Sequence, residues 1–120
     1  MKVAVSAQGK DFGSPVDPRF GRTQYFIVVD TETYDFSVHD NTQNVNALQG
    51  AGIQAAKNVS DLGVDAVISG NVGPNAFATL QAAGIDTYVK AAGTVKEAVE
   101  ALKSGTLEKS DRANVRGHWM

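Results

Sequence analysis

Gly70-Asn71-Val72-Gly73-Pro74-Asn75 is the stretch whose chemistry is easiest to name. It follows a short apolar run and leads into a helix, with Pro74 where a first turn tolerates a residue lacking N–H. Glycines let the backbone turn and approach a ligand closely, and free N–H groups at the positive end of a helix dipole favour an anion. A second candidate, Asp17-Pro18-Arg19-Phe20-Gly21-Arg22, ends a loop rich in glycine and proline that begins at Gly9. Two guanidiniums, each a fixed fork of donors that stays charged, suit a multiply charged oxo or sulfido anion, with Phe20 as an apolar neighbour. The plainer role for these residues is an Asp17–Arg19 surface pair with Phe20 in the core.

Gly50-Ala51-Gly52-Ile53-Gln54-Ala55 reads G-x-G-x-x-A at the start of a helix. A dinucleotide fingerprint sits directly after the first strand of a βαβ unit with an acidic residue about 20 positions on, whereas here Asp65 arrives too soon. Gly50 and Gly52 are read instead as admitting a neighbouring strand or a ligand to the helix start. His39 closes a polar-faced strand near the sheet's end, and His118 stands in the terminal Gly117-His118-Trp119-Met120; neither has a partner at ligand spacing. The tail would bring His118, Trp119 and Met120 to a ligand only by folding back.

With no cysteine in the chain, thiolate-held zinc, protein-ligated iron–sulfur clusters and cysteine nucleophiles are excluded together. There is no G-x-x-x-x-G-K-[ST], H-E-x-x-H or G-x-S-x-G, and no nucleophile–base pair can be named, so the expectation is a protein that is not an enzyme.

The elements that position these residues follow from period and punctuation. Val3 to Ser6 is a strand, and Phe26 to Val29 a second. Tyr34, Phe36 and Val38 alternate with polar residues in a third, joined to the second by a turn over Asp30 to Thr33 and lying at a sheet edge. From Leu48 the period lengthens: Leu48, Gly52, Ala55, Val59 and Leu62 line one helical face that Gly63 ends. Val64 to Ile68 is a buried strand, a helix runs from Pro74 to about Ala83, and Ile85 to Val89 is the next strand. Thr94 and Glu97 form a capping box for a last helix closed by Gly105. The order β-β-β-α-β-α-β-α predicts an α/β fold: a mixed five-stranded sheet flanked by helices, the ribonuclease H-like pattern. One domain over residues 1–105 would then be followed by a polar, mobile tail over 106–120.

At 120 residues the chain is long enough for one core, and 42% hydrophobic with 20% charged residues is ordinary globular usage. A formal net charge of −2 argues against a broad basic footprint for nucleic acid or anionic membrane, so any anion site must be local. The first strand offers Val3, Ala4, Val5 and Ser6 where a ribonuclease H would place carboxylates for Mg²⁺, which argues against a nuclease. Without an apolar run of signal or membrane-span length, the expected location is the cytoplasm.

Three blocks together, Arg19-Phe20-Gly21-Arg22 followed by Tyr25-Phe26, Gly50 to Ala56, and Gly63 to Ala76, resemble the dinitrogenase iron-molybdenum cofactor biosynthesis family, whose small members include NifX and the C-terminal domain of NifB. The resemblance spans residues 1–104. It implies a ribonuclease H-like fold and a non-catalytic role in holding or ferrying a preformed metal–sulfur cofactor or its precursor. The family's cysteine-free members, found in anaerobes, include one that binds a molybdenum–copper sulfide cluster without covalent attachment, so the ligand the resemblance implies is such a cluster or a related metal-sulfide anion. Arg19 and Arg22 would neutralise its charge, Gly70 to Asn75 would donate N–H groups, Phe20 and Val72 would be apolar neighbours and His39 an outer donor. A monomer or weak dimer is expected, with partner proteins of cofactor assembly such as an iron–sulfur ATPase. The rival expectations are a phosphate or nucleotide sensor using the same loop, and an interaction module built on exposed Tyr34, Phe36 and Trp119.

Overall fold

In the computed structural model, residues 1–47 and 49–114 are described. The elements are β1 (Lys2–Ala7), β2 (Tyr25–Asp30), β3 (Phe36–Asp40), a 3₁₀ turn (Thr42–Asn44), α1 (Ala51–Asp61), β4 (Ala66–Ile68), α2 (Pro74–Ala82), β5 (Asp86–Val89), α3 (Val95–Lys103) and β6 (Glu108–Ser110). The strands form one sheet in the order β3-β2-β1-β4-β5-β6. β1 and β2 pair antiparallel, as do β2 and β3, while β1, β4 and β5 run parallel.

Alternation along each strand divides the core into two layers. Ala4, Phe26, Val28, Val67 and Val89 face α1 and α2, meeting Ala55, Val59, Ala76, Phe77 and Leu80. Val3, Val5, Ile27, Val29, Ala66 and Ile68 face α3, meeting Val95, Ala98 and Val99. Burying each such valine or leucine removes roughly 1.5–3 kcal/mol of apolar exposure, which is what fixes the register. Gly63, Gly84 and Gly105 take φ of +71°, +75° and +77° just past the three α-helices, and Thr94 and Glu97 close their capping box on α3.

The sheet has six strands, which corrects the expected five. The sixth comes from the segment expected to be a mobile tail: Glu108 to Ser110 pair antiparallel with Thr87 to Val89. Its side chains carry no apolar alternation because it is an edge strand, held by the backbone ladder and by exposed ion pairs of Lys90 with Glu108 and Lys109 with Asp86, both at 3.3 Å. β3 begins at Phe36, two residues later than expected, because Tyr34 belongs to the turn, with φ of 64° and its N–H donating to the Asp30 carbonyl. Tyr34 packs edge-on to Phe12 beneath Lys103, whereas Phe36 is 45% exposed at the sheet edge. α1 begins at Ala51, after Gly50 at φ +78°; Leu48 and the tail residues His118, Trp119 and Met120 lie outside the described residues. Among the described residues no helix is long and apolar enough to cross a membrane.

Candidate functional site

The parallel strands β1, β4 and β5 end at one rim of the sheet, and the stretches singled out above meet there. Ligands of open α/β sheets bind at such a rim. Two close backbone approaches, each needing a residue without Cβ, and one tight side-chain contact lock it together. A Cβ on Gly70 would stand 2.7 Å from Pro18 Cα, and one on Gly21 2.8 Å from Gly52 N and Cα. One on Gly52 would stand 3.2 Å from Ala76 Cβ. The visitors that Gly50 and Gly52 were expected to admit are therefore the Gly21 backbone and helix α2, both at Gly52; Gly50 supplies the left-handed turn into α1.

Arg19 and Asn71 form a parallel bridge, with the Phe20 N–H donating to the Asn71 carbonyl at 3.2 Å and Asn71 Nδ2 to the Pro18 carbonyl at 3.0 Å. Beneath them lies a buried polar layer. Ser6 Oγ is 2.8 Å from both the Asp17 carbonyl and Ser69 Oγ, and Thr23 Oγ1 donates to the Ala7 carbonyl at 2.9 Å. Asn41 Nδ2 donates to the Thr23 and Gly21 carbonyls, and Asn44 Nδ2 to Asn41 Oδ1. Buried loop backbone must find such partners. Asn41 and Asn44 escaped the sequence reading because a polar residue between elements looks like ordinary loop surface.

The contact at Gly52 and Ala76 sets the N-termini of α1 and α2 side by side. Neither helix has a side-chain cap or an acidic residue in its first turn. The N–H groups of Gly52 and Ile53 on α1, and of Gly73, Asn75 and Ala76 around the start of α2, donate to no described residue. Two positive helix ends thus share one small region without internal compensation.

The arginines divide. Arg19 is exposed and its guanidinium makes no hydrogen bond or ion pair with a described residue; only its backbone N–H is engaged, by Asp17 Oδ1 at 2.9 Å. Arg22 instead donates through Nη1 to the Ala47 carbonyl at 2.6 Å and the Val45 carbonyl at 3.3 Å, tying down the approach to α1. Of the two arginines expected to neutralise a ligand, Arg19 therefore has its guanidinium without a described partner and Arg22 has its own engaged by backbone carbonyls. Phe20 and Val72 are corrected too: both are 0% exposed, Phe20 packing against the Phe26 ring, so they belong to the core beneath the rim. His39 does stand at the same end of the sheet, opposite Phe26, but on the edge strand with Nε2 bonded to Ser37 Oγ at 2.8 Å. Asp17 is nearly fully buried, and that burial pushes its carboxyl above the usual range in spite of the Arg19 N–H and guanidinium and the Thr23 hydroxyl, which pull it down.

One site residue was not foreseen at all. Asn114, beyond β6, lies on the Gly70–Val72 loop: its Oδ1 accepts from the Val72 N–H at 2.7 Å, its Nδ2 donates to Asn71 Oδ1 at 3.1 Å, and its N–H donates to the Val72 carbonyl at 3.1 Å. The Val72 amide, expected to face a ligand, is occupied by this side chain.

Among the described residues no group of three or more His, Cys, Asp or Glu is placed to hold a metal ion. The donor set here is N–H and guanidinium, which suits an anion that brings its own ligands and not a bare cation.

The profile of the dinitrogenase iron-molybdenum cofactor family matches residues 1–105. The chain is similar to the apo form of the orange protein from Desulfovibrio gigas, with 37% identity, a TM-score of 0.92 and coverage of 95% of this chain and 96% of that one. It is similar to a NifB-type protein from Thermotoga at 42% identity and a TM-score of 0.79, covering 90% and 91% of the two chains. An uncharacterised protein of Methanocaldococcus jannaschii is 30% identical over 111 residues, 91% of each chain.

Proposed function

Because the chain belongs to the dinitrogenase iron-molybdenum cofactor family, we propose that it binds and carries, without catalysing a reaction, an anionic metal–sulfur cluster seated at the paired N-termini of α1 and α2. The observation that carries this reading is that pairing: N–H groups with no described acceptor on two adjacent helix starts, no acidic residue in either first turn, and the exposed Arg19 beside them. A thiometallate is a polyanion with its metal already coordinated by sulfide. It needs hydrogen-bond donors and positive charge from its carrier, and a protein without cysteine supplies those and nothing that would strip the sulfide away. Molybdenum with copper is the composition that the family resemblance favours. The strand order β3-β2-β1-β4-β5 supports the ribonuclease H-like reading of the central sheet.

In this reading Arg19 supplies mobile positive charge, Gly73, Asn75 and Ala76 the fixed donors of α2, and Gly52 and Ile53 those of α1. Arg22 keeps the α1 entrance in place, and His39 lies on the periphery.

The test is an anaerobic visible spectrum with elemental analysis of the purified protein, before and after addition of tetrathiomolybdate and copper. Charge-transfer bands and stoichiometric molybdenum that survive desalting are expected. A colourless, metal-free protein whose melting temperature rises with nucleotides or inorganic phosphate would replace the carrier by a phosphate sensor.

A further inference from the structure

We propose that Asn114 is a latch that competes with the ligand for the Gly70–Val72 loop, so that loading and release of the site are governed by the segment following β6. The inference rests on the carrier reading above. Four contacts make the latch: Oδ1 with the Val72 N–H at 2.7 Å, Nδ2 with Asn71 Oδ1 at 3.1 Å and with the Gly70 carbonyl at 3.5 Å, and the Asn114 N–H with the Val72 carbonyl at 3.1 Å. Ala113 packs against the α1/α2 core layer and anchors the segment from below.

The chemistry of Oδ1 is what makes this a competitor. Val72 lies between Gly70 and the N-cap Gly73, and its N–H stands next to the Gly73 N–H, which donates to no described residue. A neutral amide oxygen carries partial negative charge and fills that donor while no anion is present. An anion makes a charge-assisted hydrogen bond roughly twice as strong to the same N–H, so a polyanion displaces the amide while water alone does not. Once the ligand leaves, Asn114 returns and satisfies a loop donor that would otherwise be buried without a partner. Among the described residues, the stretch beyond β6 is held by these contacts, by Ala113 and by hydrogen bonds between Arg112 and Ser110, so few bonds must break for Asn114 to release.

Two substitutions separate a latch from a merely structural clamp. Asn114→Ala removes the competing oxygen and should tighten tetrathiomolybdate binding by about 3- to 10-fold, the equivalent of one net hydrogen bond. Asn114→Asp keeps the acceptor but places a full negative charge in the cradle, and should weaken binding by about tenfold or more. A structural clamp predicts loss in both variants, and that result, or no change in either, overturns the latch. Should either variant fail to fold, as judged by circular dichroism, wild-type protein decides. The Val72 N–H and Asn114 side-chain NH₂ resonances must shift on saturation with tetrathiomolybdate, and unchanged resonances overturn the proposal. Wild-type protein that binds no thiomolybdate at all removes the carrier reading, and the latch falls with it.

Discussion

Arg19 and Arg22 look equivalent on paper and differ in what their guanidiniums touch. Arg22 donates to the Val45 and Ala47 carbonyls, so Arg22→Ala should lower stability by about 1–3 kcal/mol, measured by urea denaturation, through carbonyls left without their charged donor. The Arg19 guanidinium makes no hydrogen bond or ion pair with a described residue and only attracts the Asp17 carboxylate from a distance, so Arg19→Ala should lower the urea midpoint less than Arg22→Ala does and weaken thiometallate binding by about tenfold, one charge-assisted contact. Equal stability losses in the two variants would contradict this division. Asp17 sets the pH dependence. Burial raises its folded pKa above the ordinary 3.8, so the folded state holds its proton more tightly than the unfolded state. Its contribution therefore declines as pH rises from the unfolded value through the folded one, and at neutral pH the buried charge opposes folding. Asp17→Asn keeps the acceptor for the Arg19 N–H and should raise the melting temperature at pH 7 but not at pH 3. Asp30 and Asp40 act with the opposite sign: N–H groups of Glu32 and Thr33 hold Asp30 low, and the hydroxyl and N–H of Thr42 hold Asp40 low. Their support is lost as pH falls through those lowered values, so the acid limb of the stability curve should persist in the Asp17 variant. Residue types named candidate donors in the sequence, but not their partners: a spacing of three between the arginines says nothing about the carbonyls of residues 45 and 47.

At the scale of elements, the parallel half of the fold was legible because each strand, helix and terminating glycine repeats the same local logic, down to the capping box at Thr94. β6 was not, since Glu108-Lys109-Ser110 has neither apolar alternation nor β-branched residues and forms only because β5 offers an open edge. Nor could a one-dimensional reading tell which glycines serve close packing. Gly70 looked like a ligand-facing turn, yet its missing Cβ is what lets Pro18 lie across it. Gly70→Ala and Thr94→Ala make a matched pair for that distinction. The alanine Cβ at 70 would meet Pro18 Cα at 2.7 Å and its carbonyl oxygen at 3.0 Å, backbone atoms that cannot rotate away. A cost of about 1–3 kcal/mol is expected, together with impaired ligand binding, because the Arg19–Asn71 bridge must shift. Loss of the α3 cap should cost about 1 kcal/mol and leave binding untouched, as α3 packs on the opposite face of the sheet. Chemical denaturation paired with thiometallate titration reads both quantities on each variant.

For the molecule as a whole, the net charge of −2 is set against a site built from positive helix ends and one open arginine. The body measures 36 × 27 × 24 Å, so at 10 mM salt, where the screening length is about 30 Å, an approaching anion senses the whole negative protein. At 150 mM the screening length is about 8 Å and only the charges lining the rim act. The two fields oppose each other. Salt in this range screens out the long-range repulsion and weakens, without abolishing, the local attraction, and with the two changes offsetting each other the association rate for tetrathiomolybdate should stay within about twofold between 10 and 150 mM. Arg19→Ala leaves the long-range repulsion and removes the local pull, so in that variant the rate should rise with salt instead. A basic anion-binding surface would behave otherwise, losing association speed steeply as salt is added. Stopped-flow measurements across that range therefore decide whether the positive charge is confined to the rim: a wild-type rate that falls tenfold would place it over a broad surface, against the composition and against the paired-helix site.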